Sequence, residues 1–410
     1  MNKVRLQVIV PALNKRHRLP PPQGDPEGII GVVLEGFSFI GEEVGPEEMR
    51  NRSIGKWYKD RDGYYYWGGG LLVIDEIMAP PVAALKAVPK GVGVEGAIPF
   101  DPNKMSWGHK LYDIPFIWND LGTMGAGVTV AVIDTGVDVT HEDLIPNIHQ
   151  LSKSFVGSET DFSDTAGHGT NMAGIIGAAG RNKIYGIAPQ TSLLIVRATP
   201  DGTGTDLQKF IDAVNYAAEQ PDVDIISISY SFVSNNTDVE RLKLIKKLGV
   251  SVQNALDKGK IVVASIGDLR TSLSPPEDRD TYPSSFNAGI PNKKGVLSVG
   301  AFDQAGKVCS FSNHNKHLFC LAPGDRAVLT TGLNNSVVNG GQTSIAAALT
   351  SGCLALLLSY SKVKLPGKKI DFNSILLDTC DDVGPATGPD SMSGFGKINI
   401  RNAVAKIKSL

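Results

Sequence analysis

Short apolar runs alternate with helical patterns along the chain beyond residue 106, and this alternation constrains the fold more than any other feature. The runs cover residues 128–134, 192–198, 223–230, 260–267 and 296–302, and the helical patterns cover residues 206–220 and 241–259. Runs that are apolar on both faces and separated by helices predict an α/β fold, with a mostly parallel sheet between two layers of helices. Ligands bind such sheets beyond the carboxyl ends of the strands. Asp134 and Asp268 each end such a run, so both are candidates for function.

The composition is typical of a soluble globular protein that is large enough for more than one domain. Of the 410 residues, 42% are hydrophobic and 20% are charged, and the formal net charge is −2. So small a net charge produces no long-range field, and neither nucleic acid nor a membrane is an expected partner. The longest apolar segment, residues 344–360, contains Thr350, Ser351 and Gly352 and predicts a buried core helix rather than a membrane span.

Cysteine usage and the N-terminus favour an intracellular protein. The four cysteines form no CxxC pair and are few for so long a chain, so free, buried thiols are expected. The first apolar run, residues 6–10, is too short for the core of a signal peptide. We therefore expect a cytoplasmic protein, or a secreted one if the true start lies upstream. The residues indicate no metal site and no certain cofactor.

The first hundred residues differ in composition and hydrophobic pattern from the rest of the chain. Residues 1–25 contain an expected strand and a basic, proline-rich segment, whereas residues 26–76 contain short, aromatic-rich strand patterns and a DRDG hairpin signal at 60–63. Residues 26–76 resemble a small bacterial SH3-like barrel, which implies an all-β domain whose aromatic side chains line a ligand groove or form a small core. Residues 77–106 are rich in proline and glycine and predict a linker to a domain over residues 107–410.

Three segments of this last domain contain residue types that suit nucleophilic catalysis. Asp134 lies in VIDTGVD at the mouth of an apolar run, where a carboxylate is costly to bury unless it is paired. His168 lies between two glycines in DTAGHGTNMAGIIGA, and Met172 occupies the position where a helical zinc site needs a second ligand. Ser344 lies at the start of the apolar helix in GGQTSIAAAL. Two interpretations are open there: an N-cap of the helix, or a nucleophile beside the unpaired N–H groups of its first turn. A serine nucleophile needs a histidine base, and the imidazolium needs a buried carboxylate.

The order Asp, His, Ser is that of the subtilisins, and the three segments resemble the motifs of the subtilisin-like serine proteases, or subtilases. AVIDTGVD resembles their aspartate motif, GHGTNMAG their histidine motif GHGTHVAG, and GQTSIAAAL their serine motif GTSMAAPH. The resemblance extends over about residues 107–407 and implies a subtilisin-like three-layer fold and peptide-bond hydrolysis. In this family Ser344 would attack the scissile carbonyl, His168 would transfer the proton and Asp134 would orient His168. Subtilases often bind structural calcium through variable loops, so the resemblance allows for calcium here.

The resemblance also implies a cleft for a peptide or protein substrate. The stretch SISYS, residues 227–231, resembles the strand edge that pairs with an extended substrate and walls its first pocket. The substrate-binding candidates are therefore Ser229, Tyr230, Ser231 and Gly267.

The chain departs from the family pattern around the expected oxyanion site. Asp268 stands where subtilases usually have an asparagine donor, and an ionised carboxylate would repel an oxyanion. Either Asp268 is protonated in a dry site, or donors come from Ser344, Thr343 and Gln342. Other positions depart from the family pattern as well. Glycines are replaced by Gln342, Ser231 and Phe232, histidines by Asn171 and Leu349, and a proline by Ala348. The larger groups at Ser231 and Phe232 predict a narrowed cleft and a selective enzyme.

Two alternatives to a selective serine endopeptidase stay open. The first is a subtilase-fold protein with weakened chemistry that binds or regulates a peptide, which Asp268 and the larger cleft residues favour. The second is a peptide ligase or cyclase that transfers the acyl group to an amine. The sequence also allows for contact between the N-terminal domain and the catalytic domain of the same chain.

Overall fold

The computed structural model describes residues 100–200, 205–233, 238–268, 280–384 and 387–410, together with the backbone of seven strands nearer the N-terminus. The chain forms two compact units, Met1–Val94 and Glu95–Leu410. All three segments that suit catalysis lie in the second unit.

The described strands of the first unit form one antiparallel sheet. They are β1 (Lys3–Val8), β2 (Ala12–Arg16), β3 (Ile29–Leu34), β4 (Ser38–Glu43), β5 (Trp57–Asp60), β6 (Tyr65–Trp67) and β7 (Leu71–Ile77). Their order is β3-β2-β6-β5-β4-β1-β7, and the pairing of β5 with β6 confirms the hairpin expected around residues 60–63. The SH3-like barrel and the roles of its aromatic side chains stay predictions, and most of the expected linker over residues 77–106 lies outside the described residues.

Seven parallel strands form the central sheet of the second unit. In chain order the strands of this unit are β8 (Thr129–Asp134), β9 (Lys153–Ser154), β10 (Ser192–Arg197), β11 (Val223–Ile228), β12 (Phe232–Val233), β13 (Ile261–Ser265), β14 (Thr281–Tyr282), β15 (Leu297–Phe302), β16 (Cys320–Pro323), β17 (Val328–Gly332) and β18 (Ser336–Gly340). The central sheet has the order β16-β15-β13-β11-β8-β10-β9, while β12 pairs with β14 and β17 pairs with β18. Every pairing within the central sheet is parallel, which confirms the prediction from the five apolar runs.

Helices cover both faces of this sheet. They are α1 (Trp107–Tyr112), α2 (Ile114–Leu121), α3 (His168–Gly177), α4 (Leu207–Glu219), α5 (Val239–Asp257), α6 (Gln342–Lys364), α7 (Phe372–Leu377) and α8 (Ile400–Lys408). Val130 and Val132 of β8 belong to the core with α3 and α6, whereas Ala131 and Ile133 belong to the core with α4 and α5. Successive residues of a strand point to opposite faces, and each fully buried Val or Ile contributes about 1.5–3 kcal/mol. The three-layer α/β architecture is therefore confirmed.

Helix α6 is the central helix of the larger core. By length and composition it is apolar enough to cross a membrane, but 89% of its most apolar stretch is buried inside the fold. Its polar side chains are satisfied there: Thr350 Oγ1 donates to Ala346 O at 2.8 Å, and Ser351 Oγ donates to Ser227 Oγ at 2.9 Å. The helix is thus the buried core helix that the sequence predicts.

The cysteines lie in or beside the same core. Cys309, Cys320 and Cys353 are buried, Cys380 is half-buried, and all four are free thiols. Burial raises the pKa of each thiol, that of Cys309 to about 12, so the reactive thiolate is suppressed at neutral pH. The expectation of free thiols is confirmed for all four cysteines, and that of buried ones for three of them.

Candidate active site

The carboxylate of Asp134 lies at the carboxyl end of β8, in the interior of the central sheet. It is buried, and its Oδ1 accepts a hydrogen bond from the Thr135 backbone N–H at 2.8 Å. The same oxygen lies 2.8 Å from His168 Nδ1, while Oδ2 is buried with no hydrogen-bond partner among the described residues. An unpaired buried charge is costly, so the imidazole is the group that stabilises this carboxylate.

His168 begins α3 directly after Gly167, whose φ of 89° is left-handed and suits glycine. The His168 side chain is 33% exposed whereas that of Asp134 is 3% exposed, so the ring edge away from Asp134 can meet a substrate. Burial lowers the pKa of His168, but the charge and hydrogen bond of Asp134 outweigh it. With smaller effects from Asp164 and Asp268, the pKa lies above its ordinary value of 6.5. The imidazole is therefore set up to take a proton.

Ser344 lies in the first turn of α6 and is buried apart from 6% of its surface. Its Oγ donates to the Ser229 carbonyl oxygen at 3.3 Å, and Ser229 Oγ donates to the Ser344 carbonyl oxygen at 3.0 Å. Among the hydrogen bonds of the described residues, none joins Ser344 Oγ to His168. Hydrogen bonds between catalytic groups are often long or misaligned before substrate binds, and a turn about the Ser344 Cα–Cβ bond redirects the hydroxyl.

Asp268 lies next to the start of α6 and binds it through both carboxylate oxygens. The Thr343 backbone N–H donates to Oδ1 at 3.0 Å and Thr343 Oγ1 donates to Oδ2 at 3.1 Å. Burial raises the pKa of Asp268 to about 6, against hydrogen bonds from Thr343 and the positive charges of His168 and Arg326, which lower it. The carboxyl group thus lies within electrostatic reach of His168 and titrates near neutral pH.

Gln342 occupies a strained backbone position two residues before Ser344. Its φ is 79°, in the left-handed region, whereas the preceding Gly341 is extended. A non-glycine residue in this region costs about 1–2 kcal/mol. The glycine that subtilases usually carry here therefore has a conformational reason, which Gln342 overrides.

A buried network that sequence analysis missed holds His168 against the Asp134 loop. The Asp164 carboxylate accepts hydrogen bonds from Thr135 Oγ1 at 2.9 Å, from Gly167 N at 2.8 Å, and from Thr170 N and Oγ1 at 2.9 and 2.6 Å. Thr135 Oγ1 in turn accepts from Gly169 N at 2.8 Å. Asp164 begins the segment DTAGHGT. An acidic residue shortly before the start of a helix was the sequence feature that could have identified it. Its carboxylate connects the residues next to both members of the Asp–His pair.

Replacing Asp164 with alanine is expected to lower the free energy of unfolding at pH 7.5 by about 4 kcal/mol, because several buried donors lose their acceptor. Burial raises the pKa of Asp164, but its hydrogen bonds outweigh burial and hold the pKa below the ordinary value. The stabilisation is therefore present above about pH 4, the pKa in the unfolded chain, and is lost as the pH falls through the folded pKa. Urea unfolding at pH 7.5 and pH 3 measures both effects.

The control for this prediction is Asp161→Ala. Asp161 is an exposed acid three residues earlier that accepts one hydrogen bond, from Ser163 N at 3.2 Å. We expect the control to leave the free energy of unfolding nearly unchanged, because water screens the charge of an exposed side chain. Equal losses in both variants would show that the Asp164 network does not brace the site.

The substrate-binding candidates lie just beyond β11 and β13. The Tyr230 ring packs against Phe210 and Phe232, with centroids 5.8 and 5.0 Å away, and joins the smaller core. Phe232 is itself buried in that core. Ser231 instead faces Gly267, where a Cβ atom would lie 3.2 Å from Ser231 Oγ. Of the two residues expected to narrow the cleft, Ser231 lies beside Gly267 and Phe232 does not, and the narrowing itself stays a prediction.

The described residues contain no group of three or more His, Cys, Asp or Glu side chains that could hold a metal ion. Asp143 illustrates why: its two carboxylate oxygens accept backbone N–H groups from Asn182, Lys183 and Ile184 at 2.7–3.0 Å, so the loop N–H groups occupy its oxygens. Structural calcium stays an expectation of the family resemblance, and no chemical step below depends on it.

Comparisons with known proteins identify the family to which this chain is similar. The chain is 36% identical over 268 residues to the major intracellular serine protease of Bacillus subtilis (strain 168), which covers 64% of this chain and 77% of that protein. It is 33% identical over 293 residues to the thermophilic serine proteinase of Bacillus sp. (strain AK1), which covers 70% of this chain and 64% of that protein. The solved structure of MycP1 with its N-terminal propeptide removed matches with a TM-score of 0.60 and 25% identity, over 73% of this chain and 96% of that chain.

The family-level comparison spans most of the second unit. The model of the subtilase family matches residues 125–396, which include the Asp134–His168 pair, Ser344 and the strands that carry them. This match covers more than half of the chain and coincides with the parallel sheet and its helices. The chain therefore belongs to the subtilase family and is a subtilisin-like serine protease.

Proposed function

We propose that this subtilase is a selective endopeptidase that hydrolyses peptide bonds through Asp134, His168 and Ser344 by way of an acyl-enzyme. The observation that supports it most is the 2.8 Å contact between Asp134 Oδ1 and His168 Nδ1. Asp268 accepts the backbone N–H of the residue before Ser344, and its negative charge helps to raise the pKa of His168, which supports the proposal that the pair and the start of α6 act together. A carboxylate, an imidazole and a hydroxyl in one site are the groups that acyl transfer needs.

In the first half of the reaction, Ser344 Oγ attacks the carbonyl carbon of the scissile bond and gives its proton to His168. Asp134 holds the other ring nitrogen as N–H and stabilises the imidazolium that forms. The tetrahedral intermediate collapses with cleavage of the C–N bond, and His168 passes the proton to the leaving amine. The product is an ester between Ser344 and the N-terminal part of the substrate.

In the second half, water replaces the amine. His168 takes a proton from the water as it attacks the ester carbon, and returns this proton to Ser344 Oγ when the C–O bond breaks. The Ser344 backbone N–H lies in the first turn of α6, where N–H groups have no partner within the helix, so it is the proposed main donor to the oxyanion. The side chains of Thr343, Gln342 and Asp268 are the candidates for a second donor.

The proposed substrate is an extended peptide or protein segment in the cytoplasm. Residues 229–231 leave β11 beside Ser344, so an extended substrate can pair with this edge by strand addition. The intracellular location is supported by the Bacillus subtilis relative, which is named an intracellular serine protease. We further propose that the N-terminal unit is an accessory domain rather than part of the catalytic machinery.

A fluorophosphonate probe tests the nucleophile directly. We expect the full chain to gain one phosphonyl group on the tryptic peptide that contains Ser344, and the Ser344→Ala variant to gain none. The matched control is Ser351→Ala, two turns further along α6, where the hydroxyl bonds to Ser227 and lies outside the site. The control should be labelled like the original chain.

The outcomes separate the competing functions. A folded chain that takes no label contradicts the endopeptidase proposal and favours the second candidate, a peptide-binding subtilase with weakened chemistry, which the carboxylate at Asp268 supports. A labelled chain that converts peptide and an added amine into a new amide, rather than into free acid, is a ligase or cyclase. Mass spectrometry of the products distinguishes acid from amide.

A further inference from the structure

We propose that the cleft beside Ser344 admits only a small side chain, that of glycine, alanine or serine, on the substrate residue whose carbonyl is attacked. The inference rests on the proposed function, because it concerns the peptide that acylates Ser344. It follows from three side chains, Ser231, Thr281 and Asn313, that converge on Gly267 just beyond β13.

Two chain segments flank the first turn of α6 and define where this substrate side chain must go. On one side, Ser229 exchanges hydrogen bonds of 3.3 and 3.0 Å with Ser344. On the other side, Gly267 N donates to Thr343 Oγ1 at 3.2 Å. A peptide that pairs with the edge at residues 229–231 and has its carbonyl carbon on Ser344 Oγ directs the adjoining side chain into the gap between these segments.

The gap closes at Gly267. A Cβ atom built on this glycine would lie 2.8 Å from Asn313 Nδ2, 3.2 Å from Ser231 Oγ and 3.5 Å from Thr281 Cγ2. The first two distances are shorter than van der Waals contact, which is optimal at about 3.5–4.0 Å between carbon atoms. The space between Gly267 and the Ser231 hydroxyl is therefore too narrow for a further carbon atom, and a long substrate side chain cannot extend between the two segments.

Two of the three side chains are held in place by hydrogen bonds to the Ile266 carbonyl oxygen, from Asn313 Nδ2 at 3.3 Å and from Thr281 Oγ1 at 2.7 Å. Asn313 is buried, and its backbone N–H donates to the Gly267 carbonyl oxygen at 3.0 Å. Thr281 is buried as well. Ser231 is half-buried and lies on the side of the gap that continues from β11. Ser231 is therefore the residue that determines how far a substrate side chain can enter.

The expected preference for small substrate side chains follows from the loss of kcat/KM that an oversized side chain causes in a close-fitting pocket. One methylene too many in a close-fitting pocket changes kcat/KM by about 10–200-fold. A phenylalanine side chain exceeds an alanine side chain by a whole ring, so we expect the full chain to favour alanine over phenylalanine by at least about 100-fold in kcat/KM. The measurement uses four peptides that differ only in glycine, alanine, leucine or phenylalanine before the cleaved bond.

The Ser231→Gly variant tests the assignment to this residue. Removing the hydroxymethyl group opens the gap, so the alanine-to-phenylalanine ratio should fall at least about tenfold, and Ser231→Thr should raise it. A merely structural effect of either substitution would change kcat/KM for all four peptides alike and leave the ratio where it was. The ratio therefore separates pocket size from general damage to the site.

Each outcome decides one of the two proposals. An original chain that cleaves the phenylalanine peptide as well as the alanine peptide overturns the inference, and so does a ratio that Ser231→Gly leaves unchanged. In both cases the peptides are cleaved, so the proposed endopeptidase function stands. A chain that cleaves none of the four peptides and takes no fluorophosphonate overturns the proposed function, and the inference falls with it.

Discussion

Replacing Asp134 with asparagine is expected to lower kcat about 10⁴-fold while the fold stays intact. An asparagine amide next to His168 Nδ1 can favour the wrong tautomer and cannot stabilise the imidazolium, although it fills the same space. Because the Asp134 charge holds the pKa of His168 above 6.5, the pKa should also fall in the variant. Steady-state kinetics measure the first effect, and titration of the imidazole Cε1–H by NMR measures the second.

The matched control is Asp224→Asn, near the start of the neighbouring strand β11 and therefore at the opposite end of the sheet. Asp224 Oδ2 accepts the backbone N–H of Thr129, the first residue of β8, at 3.0 Å, and Asp224 forms an ion pair with Lys362. This substitution removes a carboxylate from the amino end of the sheet and should leave kcat within about twofold, because charges far from the reacting atoms contribute little. A loss in Asp134→Asn no larger than in this control would contradict the assigned role.

Replacing Asp268 with asparagine is expected to raise kcat about 10²–10³-fold at pH 8, since one oxyanion donor is worth that factor. The carboxyl group of the original chain, with a pKa of about 6, is ionised at pH 8 and repels the oxyanion. Below pH 6 the carboxylic acid can itself donate a hydrogen bond, so the ratio of the two kcat values should shrink as the pH falls and level off near pH 5. Measurements from pH 5 to pH 9 trace this ratio.

The same substitution should stabilise the fold at alkaline pH. A carboxyl group whose folded pKa is raised contributes stability below about pH 4, its pKa in the unfolded chain, and loses it as the pH rises through about 6. Asp268→Asn should therefore raise the free energy of unfolding at pH 8 by up to about 3 kcal/mol and have little effect at pH 4. Asp268→Ala removes the charge but also the acceptor of the Thr343 N–H and Oγ1 hydrogen bonds, so it should gain less stability as well as less kcat than Asp268→Asn. A lower kcat in Asp268→Asn at every pH would instead mean that the carboxyl group itself promotes the reaction.

The long strands of the central sheet were predictable because they are buried on both faces. Apolar residues dominate such strands, so β8, β10, β11, β13 and β15 stand out as apolar runs with few polar residues. The edge strands β9 and β16 have two and four residues, which is too short for a periodic pattern to emerge. The interior strands of the sheet could therefore be predicted from sequence, whereas its edge strands were found only in the structure.

The candidate site divides in the same way. Asp134 and His168 are recognisable because each is an ionisable residue in an otherwise apolar or glycine-rich segment, and the structure brings them within 2.8 Å. The contribution of Asp164 depends on donors from two separate loops, and such convergence leaves no local pattern. The strain at Gln342 is likewise a backbone angle that composition does not reveal. The candidate catalytic residues could thus be predicted from sequence, whereas the hydrogen bonds that orient their side chains could not.

Ser344 belongs to α6, the central helix of the larger core, and this location bears on how the molecule ages in solution. Proteins open piecemeal, and their peripheral elements detach at far lower free energy than the central core. A copy whose outer loops have already frayed would still hold Ser344, the proposed nucleophile, in the first turn of α6. Such a partly opened copy is both a competent protease and an accessible substrate, so self-digestion should begin at the periphery and proceed between molecules.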